Sequence, residues 1–482
     1  MVYLLAILAY LLVLTGVGVY KSRQVKTQAD FSVAGRSLSP WVLVCTMLAA
    51  WIGTGSIVGN AGKTYESGLA AVIIPLGSVI GMILLTRVAP RARSYEVYSV
   101  PEIIGSRYGT TARLLAVVSL VIAYMVIVSY QFNAGGAVLH VILTNESGES
   151  FLSLPWATVI AAAFIITYTI LAGLMSLAYT DIVTGLIITG SLIVAFPILW
   201  GQAGGWQGIA DRFAQMGKPD HMNAWGVFSK AEIINFILPV FLLIMGDANQ
   251  YQRFFASRSA KGARSAVTFM IFAVLMIESL IILEAWVASS LIPDAAFGKY
   301  VLIYAAKNLM PTVVGLFFLI TVVGIIISTA DSFLLIPSTS VIRDVYLNHI
   351  NPKASEKRVV FLSRLLVLVF GFIAYLVSLV FAQSTTIFQK AMYAYTIYGV
   401  AITPCLVAAL FWKRATEVGA IGSIVTGTIT ALAWSELQAR KLMPEWTDQF
   451  DAVLPAITIS VLALILGSLL TKPSRRQIPS AL

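Results

Sequence analysis

Residues 41–60 read WVLVCTMLAAWIGTGSIVGN, an uncharged stretch in which the apolar run Trp41–Ile52 gives way to Gly53, Thr54, Gly55 and Ser56 and ends on Gly59 and Asn60. About 20 apolar residues cross a hydrocarbon layer of ~30 Å, so the stretch reads as one membrane-spanning helix with a polar, glycine-rich interruption. Two readings fit it. Small residues let a neighbouring helix approach closely. Alternatively, the helix breaks near the midplane and its freed carbonyls face a cavity where they bind a cation.

The rest of the chain supports a membrane setting. Of 482 residues, 59% are hydrophobic and 11% charged, against about 45–50% and about 25% in average soluble domains. So few charges cannot cover a soluble globule of this size. Gly and Pro are scattered, and Cys45 and Cys405 are the only cysteines, which excludes fibrous and disulfide-built classes. Apolar stretches bounded by charges, Pro or Gly fall at 2–20, 41–60, 67–88, 112–142, 156–178, 180–203, 231–251, 264–292, 311–344, 359–384, 390–412, 417–437 and 452–471. The expected class is an all-α polytopic membrane protein with about thirteen transmembrane helices.

Sorting Lys and Arg by side tests that count. One side receives 23 of the 32, in segments 20–40, 87–113, 252–264, 343–364, 413–414 and 472–476; the other receives 9. Such a split fits the positive-inside rule with a cytoplasmic C-terminus and an outside N-terminus in the cell (plasma or inner) membrane. No basic residue precedes the first span, so a retained helix is expected rather than a cleaved signal. Basic residues spread over short loops suit anionic lipid heads, not nucleic acid. No loop is expected to hold a soluble domain, and no obligate protein partner is evident.

Several motifs carry no weight. Gly53–Gly59 lacks dinucleotide-fingerprint spacing and a preceding strand, and no Walker A sequence occurs. His140, His221 and His349 are dispersed and no nucleophile elbow is present, so an enzyme is not expected. The sequon Asn145-Glu146-Ser147 falls on the outer side, but such triplets arise by chance.

Other interruptions do carry weight. In the seventh stretch, Phe236–Met245 gives way to Gly246-Asp247-Ala248-Asn249-Gln250. Two interrupted helices five spans apart suit an inverted repeat of five plus five. The ninth stretch holds Ser328-Thr329-Ala330-Asp331-Ser332, with Ser328, Asp331 and Ser332 on one face. Hydroxyls and a carboxylate form a hard-oxygen set suited to an alkali cation; hydroxyls bonding back to their own helix, with Asp331 at the interface, is the other reading. Asp181 follows Leu177-Ala178-Tyr179-Thr180 in an expected tight turn, where it caps a helix, contacts a cation, or does both. Glu278 lies among apolar residues as a candidate proton or solute contact, and Glu284 is expected near the outer interface.

These residues resemble the sodium:solute symporter family across essentially the whole chain. The matching motifs are Phe31-Ser32-Val33-Ala34-Gly35-Arg36-Ser37-Leu38, Gly173-Leu174-Met175-Ser176 with Tyr179-Thr180-Asp181, and Asn249-Gln250-Tyr251-Gln252-Arg253. Ser328–Ser332 and Leu410-Phe411-Trp412-Lys413 complete them. The resemblance implies the leucine-transporter-type five-plus-five inverted repeat. It divides the chain into 1–40 (an extra N-terminal helix and cytoplasmic loop), 41–203 (first repeat), 231–412 (second repeat) and 413–482 (two further helices and a short tail). It also implies sodium-coupled uptake by alternating access, with Na+ as the coupling ion.

The same resemblance places one sodium site at Ala49, Ile52 and Ile325, through carbonyls, with the hydroxyls of Ser328 and Thr329. A second would use Asp181, Ser328, Asp331 and Ser332, although the family often has Ser at the place of Asp331. The solute would sit near Trp51, Gly53, Ser56, Met245, Thr396 and Tyr398. Trp51 departs from the small or polar residue common there, and Thr184 stands where Gln is common. No Lys or Arg falls among the solute positions, which favours a small neutral or zwitterionic organic solute. The rival readings are a proton-coupled symporter and a transporter-like membrane sensor; no signalling module is expected after Leu470.

Overall fold

The structure, a computed structural model, describes residues 2–22, 27–144, 150–171, 174–381 and 386–472. The sequon at 145–147, Gly173, Arg23, Lys26, Arg475 and Arg476 lie outside the described residues. Among those described there is no sheet, only two isolated β-bridges. The principal helices are α1 (Val2–Ser22), α2a (Pro40–Trp51) and α2b (Gly55–Ile73), α3 (Leu76–Arg93), α4 (Thr110–Leu143), α5 (Leu154–Leu171) and α6 (Leu174–Ala203). They continue with α7a (Lys230–Gly246) and α7b (Ala248–Ala256), α8 (Ala260–Leu291), α9 (Thr312–Ser340), α10 (Glu356–Phe381), α11 (Ile387–Phe411), α12 (Glu417–Ala439) and α13 (Val453–Leu470).

Ten helices in the described residues are long and apolar enough to cross a membrane, or eleven if the pair α2a–α2b, bent by 49°, is one span. The remaining apolar stretches are α1, whose apolar part is Val2–Val17, and α3. Helix starts follow the capping chemistry of the sequence. Ser229 with Glu232 and Thr386 with Gln389 form capping boxes, and the Thr416 side chain accepts from the Gly419 amide.

Burial separates a centre from a rim. The apolar window of α11 is 78% buried and that of α9 67%, whereas α13 is only 28% buried. Helix α2 packs against α6, α8, α9 and the start of α11, while α7a packs against α11 and α3. The α12–α13 hairpin and α1 lie against the outside of this centre. Whatever happens between helices therefore happens around α2, α7, α9 and α11.

Two details correct the sequence reading. Helix α6 already runs from Leu174, so Asp181 sits two turns inside it rather than at a cap. Arg253, assigned above to a basic loop, is 0% exposed on α7b, whose nine residues are all buried. Glu284 is also fully buried.

Candidate functional site

The first break lies where the sequence places it. Helix α2a ends at Trp51, Ile52 leaves the helical region at ψ 87°, and the amides of Ser56 and Ile57 both return to the Gly53 carbonyl at 3.1 Å. Carbonyls in the last turn of a helix, Ala49 among them, have no intrahelical amide partner. Helix α9 crosses at this point. A Cβ on Gly53 would stand 3.0 Å from Thr329 Cγ2 and 3.1 Å from Thr329 Oγ1, so glycine is what lets the broken end approach α9 so closely. Thr329 Oγ1 is buried without a hydrogen-bond partner, and so is Gln131 Nε2, whose amide oxygen accepts from Thr54. Ala49, Ile52 and Ile325 are all fully buried beside them. An unpartnered hydroxyl next to freed carbonyls is a hard-oxygen set.

Next to it lies a buried ionic cluster that the sequence did not reveal. Asp181 accepts from Thr46 Oγ1 and Ser328 Oγ, both at 2.5 Å, and its Oδ2 is 3.7 Å from Arg253. The Arg253 guanidinium also donates to Ser332 Oγ at 2.9 Å, to the Thr46 carbonyl at 3.2 Å and to Asn249 Oδ1. Thus Asp181, Ser328 and Ser332 are brought together around a cation that the protein itself supplies. Asp331 is fully buried and turned aside: its Oδ1 accepts from Thr169 on α5, and its Oδ2 has no partner. Asp331 is thus enclosed between helices and not exposed at the surface.

A narrow cavity lies against the other side of the first break. Trp51, Gly55, Ser56 and Asn60 form one wall, with Ile74, Val240, Glu278, Met392 and Tyr395 around them. Of the six positions expected to meet a solute, Trp51 and Ser56 line it, whereas Gly53, Met245, Thr396 and Tyr398 do not. Tyr398 is elsewhere because its hydroxyl donates to the Gly246 carbonyl at 2.8 Å and accepts from the Ala248 amide at 3.1 Å. It bridges the second break. That break falls at Asp247, whose Oδ1 accepts from the Asn249 amide at 3.0 Å and from Tyr124 Oη at 2.6 Å. Tyr251 Oη donates to the Met245 carbonyl at 3.0 Å.

The two ends of the helical centre differ. Around the far end of α2b a larger cavity of about 380 Å³ is lined by Lys63, Lys299, Lys390, Glu66 and Asn133 among others. At the opposite end Asp344 accepts from Ser99 at 2.7 Å and from Arg113 Nε at 2.6 Å, and Glu102 lies 3.6 Å from Arg343. Ion pairs thus hold that end together.

Comparison with known proteins agrees with this architecture. The profile of the family described as "SSF: Sodium:solute symporter family" matches residues 31–427. The chain is 26% identical to the osmoregulated proline transporter OpuE of Bacillus subtilis (strain 168), covering 96% of this chain and 94% of that protein. It is 24% identical to the high-affinity proline transporter PutP of the same organism, covering 95% of each. A Na+-coupled sialic acid symporter in a substrate-bound outward-open state superposes with a TM-score of 0.83 at 18% identity, over 99% of both chains. The nucleobase-cation-symport-1 transporter Mhp1 superposes with a TM-score of 0.59 at 14% identity, over 92% of this chain and 96% of that one. The fold is accordingly of the leucine-transporter type, and the chain belongs to the sodium:solute symporter family.

Proposed function

We propose that this protein carries a small organic solute across the membrane by symport with Na+, using alternating access. The observation that carries this reading is the Thr329 hydroxyl, buried without a partner against the broken end of α2a. Membrane interiors leave polar groups unpartnered only at a cost, and a bound Na+ removes it. The ligands are the carbonyls of Ala49, Ile52 and Ile325 with the hydroxyls of Ser328 and Thr329. Ser328 keeps its lone pairs for the ion because its proton goes to Asp181.

The second set, Asp181, Ser328, Asp331 and Ser332, has the Arg253 guanidinium in its midst. A Na+ there has to displace that charge, so we read Asp181–Arg253 as an internal ion pair that orients Ser328 for the single ion. The solute sits against Trp51 and Ser56. Residues 1–40 supply the extra N-terminal helix, 41–203 and 231–412 the two repeats, and 413–482 the peripheral hairpin and tail. The lysine-lined cavity faces outside and the Asp344 cluster faces the cytoplasm, in line with the distribution of basic residues.

Uptake into vesicles tests the reading. Concentrative uptake is expected with an inward sodium gradient and not with an equal potassium gradient. A potential of 100 mV contributes about 2.3 kcal/mol per charge, so uptake of a solute without net charge should rise when the interior is made negative. Unchanged concentrative uptake without sodium contradicts the proposal and turns it to protons.

A further inference from the structure

The cavity beside the first break ends on a carboxylate that the ion site does not use. Glu278, on α8, is 3% exposed. Its Oε1 accepts from Ser56 Oγ at 2.6 Å and its Oε2 from Asn60 Nδ2 at 3.1 Å, both donors lying on the first turns of α2b. Three other buried acids have their charge met by the fold: Asp181 by Arg253, Asp344 by Arg113, and Asp247 by a tyrosine hydroxyl and a backbone amide. Asp331 has, among the described residues, only the Thr169 hydroxyl, but it lines neither cavity. Among the described residues Glu278 has neutral donors and no ion pair. Glu284, on the same helix, also lacks partners, but Glu278 lines a cavity and Glu284 does not.

A carboxylate has about four acceptor positions, and Ser56 and Asn60 fill two. The remaining capacity faces a narrow space of about 20 Å³ between Trp51, Tyr395, Met392 and Val240, which in this state has room for an ammonium group and not for a whole solute. An acid inside a membrane span is costly unless a cation meets it. Aromatic rings beside it favour an organic cation through their faces.

We propose that Glu278 receives the protonated amine of the transported solute, which makes the substrate class small zwitterions with an ammonium group. The proposal rests on the symport reading above and deepens it. The larger cavity adds the other half of the match. It shares the α2b helix with the Glu278 site and is lined by Lys63, Lys299 and Lys390 against one acid, Glu66, which pairs with Lys63. The excess of lysines attracts a carboxylate and disfavours a solute of net positive charge. A zwitterion approaches past the lysines and leaves its amine on Glu278.

Thermal shift of the purified full-length protein, in sodium and in potassium, tests this with matched probes. L-proline is paired with tetrahydrofuran-2-carboxylate, β-alanine with propionate, and sialic acid serves as an anion without an amine. Stabilisation is expected only from amine-bearing probes. Glu278→Gln should weaken it by about thirtyfold or more, the cost of removing one partner of a buried charged pair, while the shift caused by sodium alone stays as in the parent. Glu278→Asp should restore part of the amine response. Equal stabilisation by the amine-free partner of any pair overturns the proposal, as does no response to any amine-bearing probe. An unchanged amine midpoint in Glu278→Gln also overturns it: a shifted pH profile then marks a proton site, and a lost sodium response a sodium ligand. Absence of sodium dependence in the parent contradicts the symport reading instead, and amine selectivity with its loss in Glu278→Gln still decides this proposal.

Discussion

At Ile52–Thr54 and again at Asp247 a membrane helix stops and restarts in the middle of the protein, on glycine and small polar residues in both cases. At the second break the backbone ends are met by the protein's own groups, although Asn249 Nδ2, Gln250 Oε1 and the Gln252 side-chain amide on α7b are buried without partners. Tyr398 bridges the Gly246 carbonyl and the Ala248 amide, Tyr124 meets Asp247, and Tyr251 takes the Met245 carbonyl. The first break is left open: among the described residues no side-chain hydroxyl bonds to its carbonyls, and Thr329 Oγ1 and Gln131 Nε2 are buried and unpartnered. A buried polar group without a partner costs about 1–3 kcal/mol. The difference separates a hinge-like joint that holds its own shape from one that waits for a ligand.

If that division is right, substitutions at the two breaks should fail in different ways. The largest effect is expected from Asp247→Ala, which removes the cap of α7b and leaves the Tyr124 hydroxyl proton without its acceptor, although Tyr124 Oη still accepts from the Asn249 amide; thermal unfolding should show a loss of about 2–4 kcal/mol with the sodium midpoint kept. A sodium midpoint that moves with stability there would break the comparison. Tyr398→Phe should cost about 1–3 kcal/mol by the same logic, again without a change in sodium dependence. Gly53→Ala puts a methyl 3.0–3.1 Å from Thr329; sodium-driven uptake should fall while folded yield is largely kept, because the neighbour is a side chain and not backbone. The smallest effect on stability belongs to Thr329→Ala. Its hydroxyl has no protein partner, so unfolding without sodium should change by less than about 0.5 kcal/mol.

Asp181→Asn sharpens a separate point. It leaves the Arg253 charge buried beside neutral acceptors, and about 3 kcal/mol or more of stability should be lost. Sodium dependence should stay non-cooperative. Loss of a second, cooperative sodium in that variant would instead place an ion at Asp181, Asp331 and Ser332.

Both breaks were legible in the sequence because glycine and polar residues in an uncharged apolar run are conspicuous. Which of them is open was not, because the groups that close the second one, Tyr124 on α4 and Tyr398 on α11, are distant in the chain and look like ordinary aromatic residues of a core. Arg253 was read as a loop charge because it follows the apolar run of α7a at the distance expected of a membrane edge. The structure shows instead a buried continuation, Ala248–Ala256, in which Arg253 bonds to Asn249 and reaches Ser332 and Thr46 on neighbouring helices. The position of Asp181 was misjudged by taking Leu177–Thr180 as the turn, whereas those four residues already belong to α6, which runs from Leu174. Glu278 was visible as an unpaired acid, but its link to Ser56 and Asn60 depends on how α2b and α8 pack.

The most direct measurement is a sodium titration of Thr329→Ala and Tyr398→Phe side by side, read as sodium-dependent thermal stabilisation of the purified protein. Loss of one ligand from the open break should raise the sodium midpoint of Thr329→Ala by about tenfold, equivalent to about 1.4 kcal/mol, while Tyr398→Phe melts lower at every concentration with its midpoint unchanged. An unchanged midpoint in Thr329→Ala, or a shifted one in Tyr398→Phe, would contradict sodium binding at the first break.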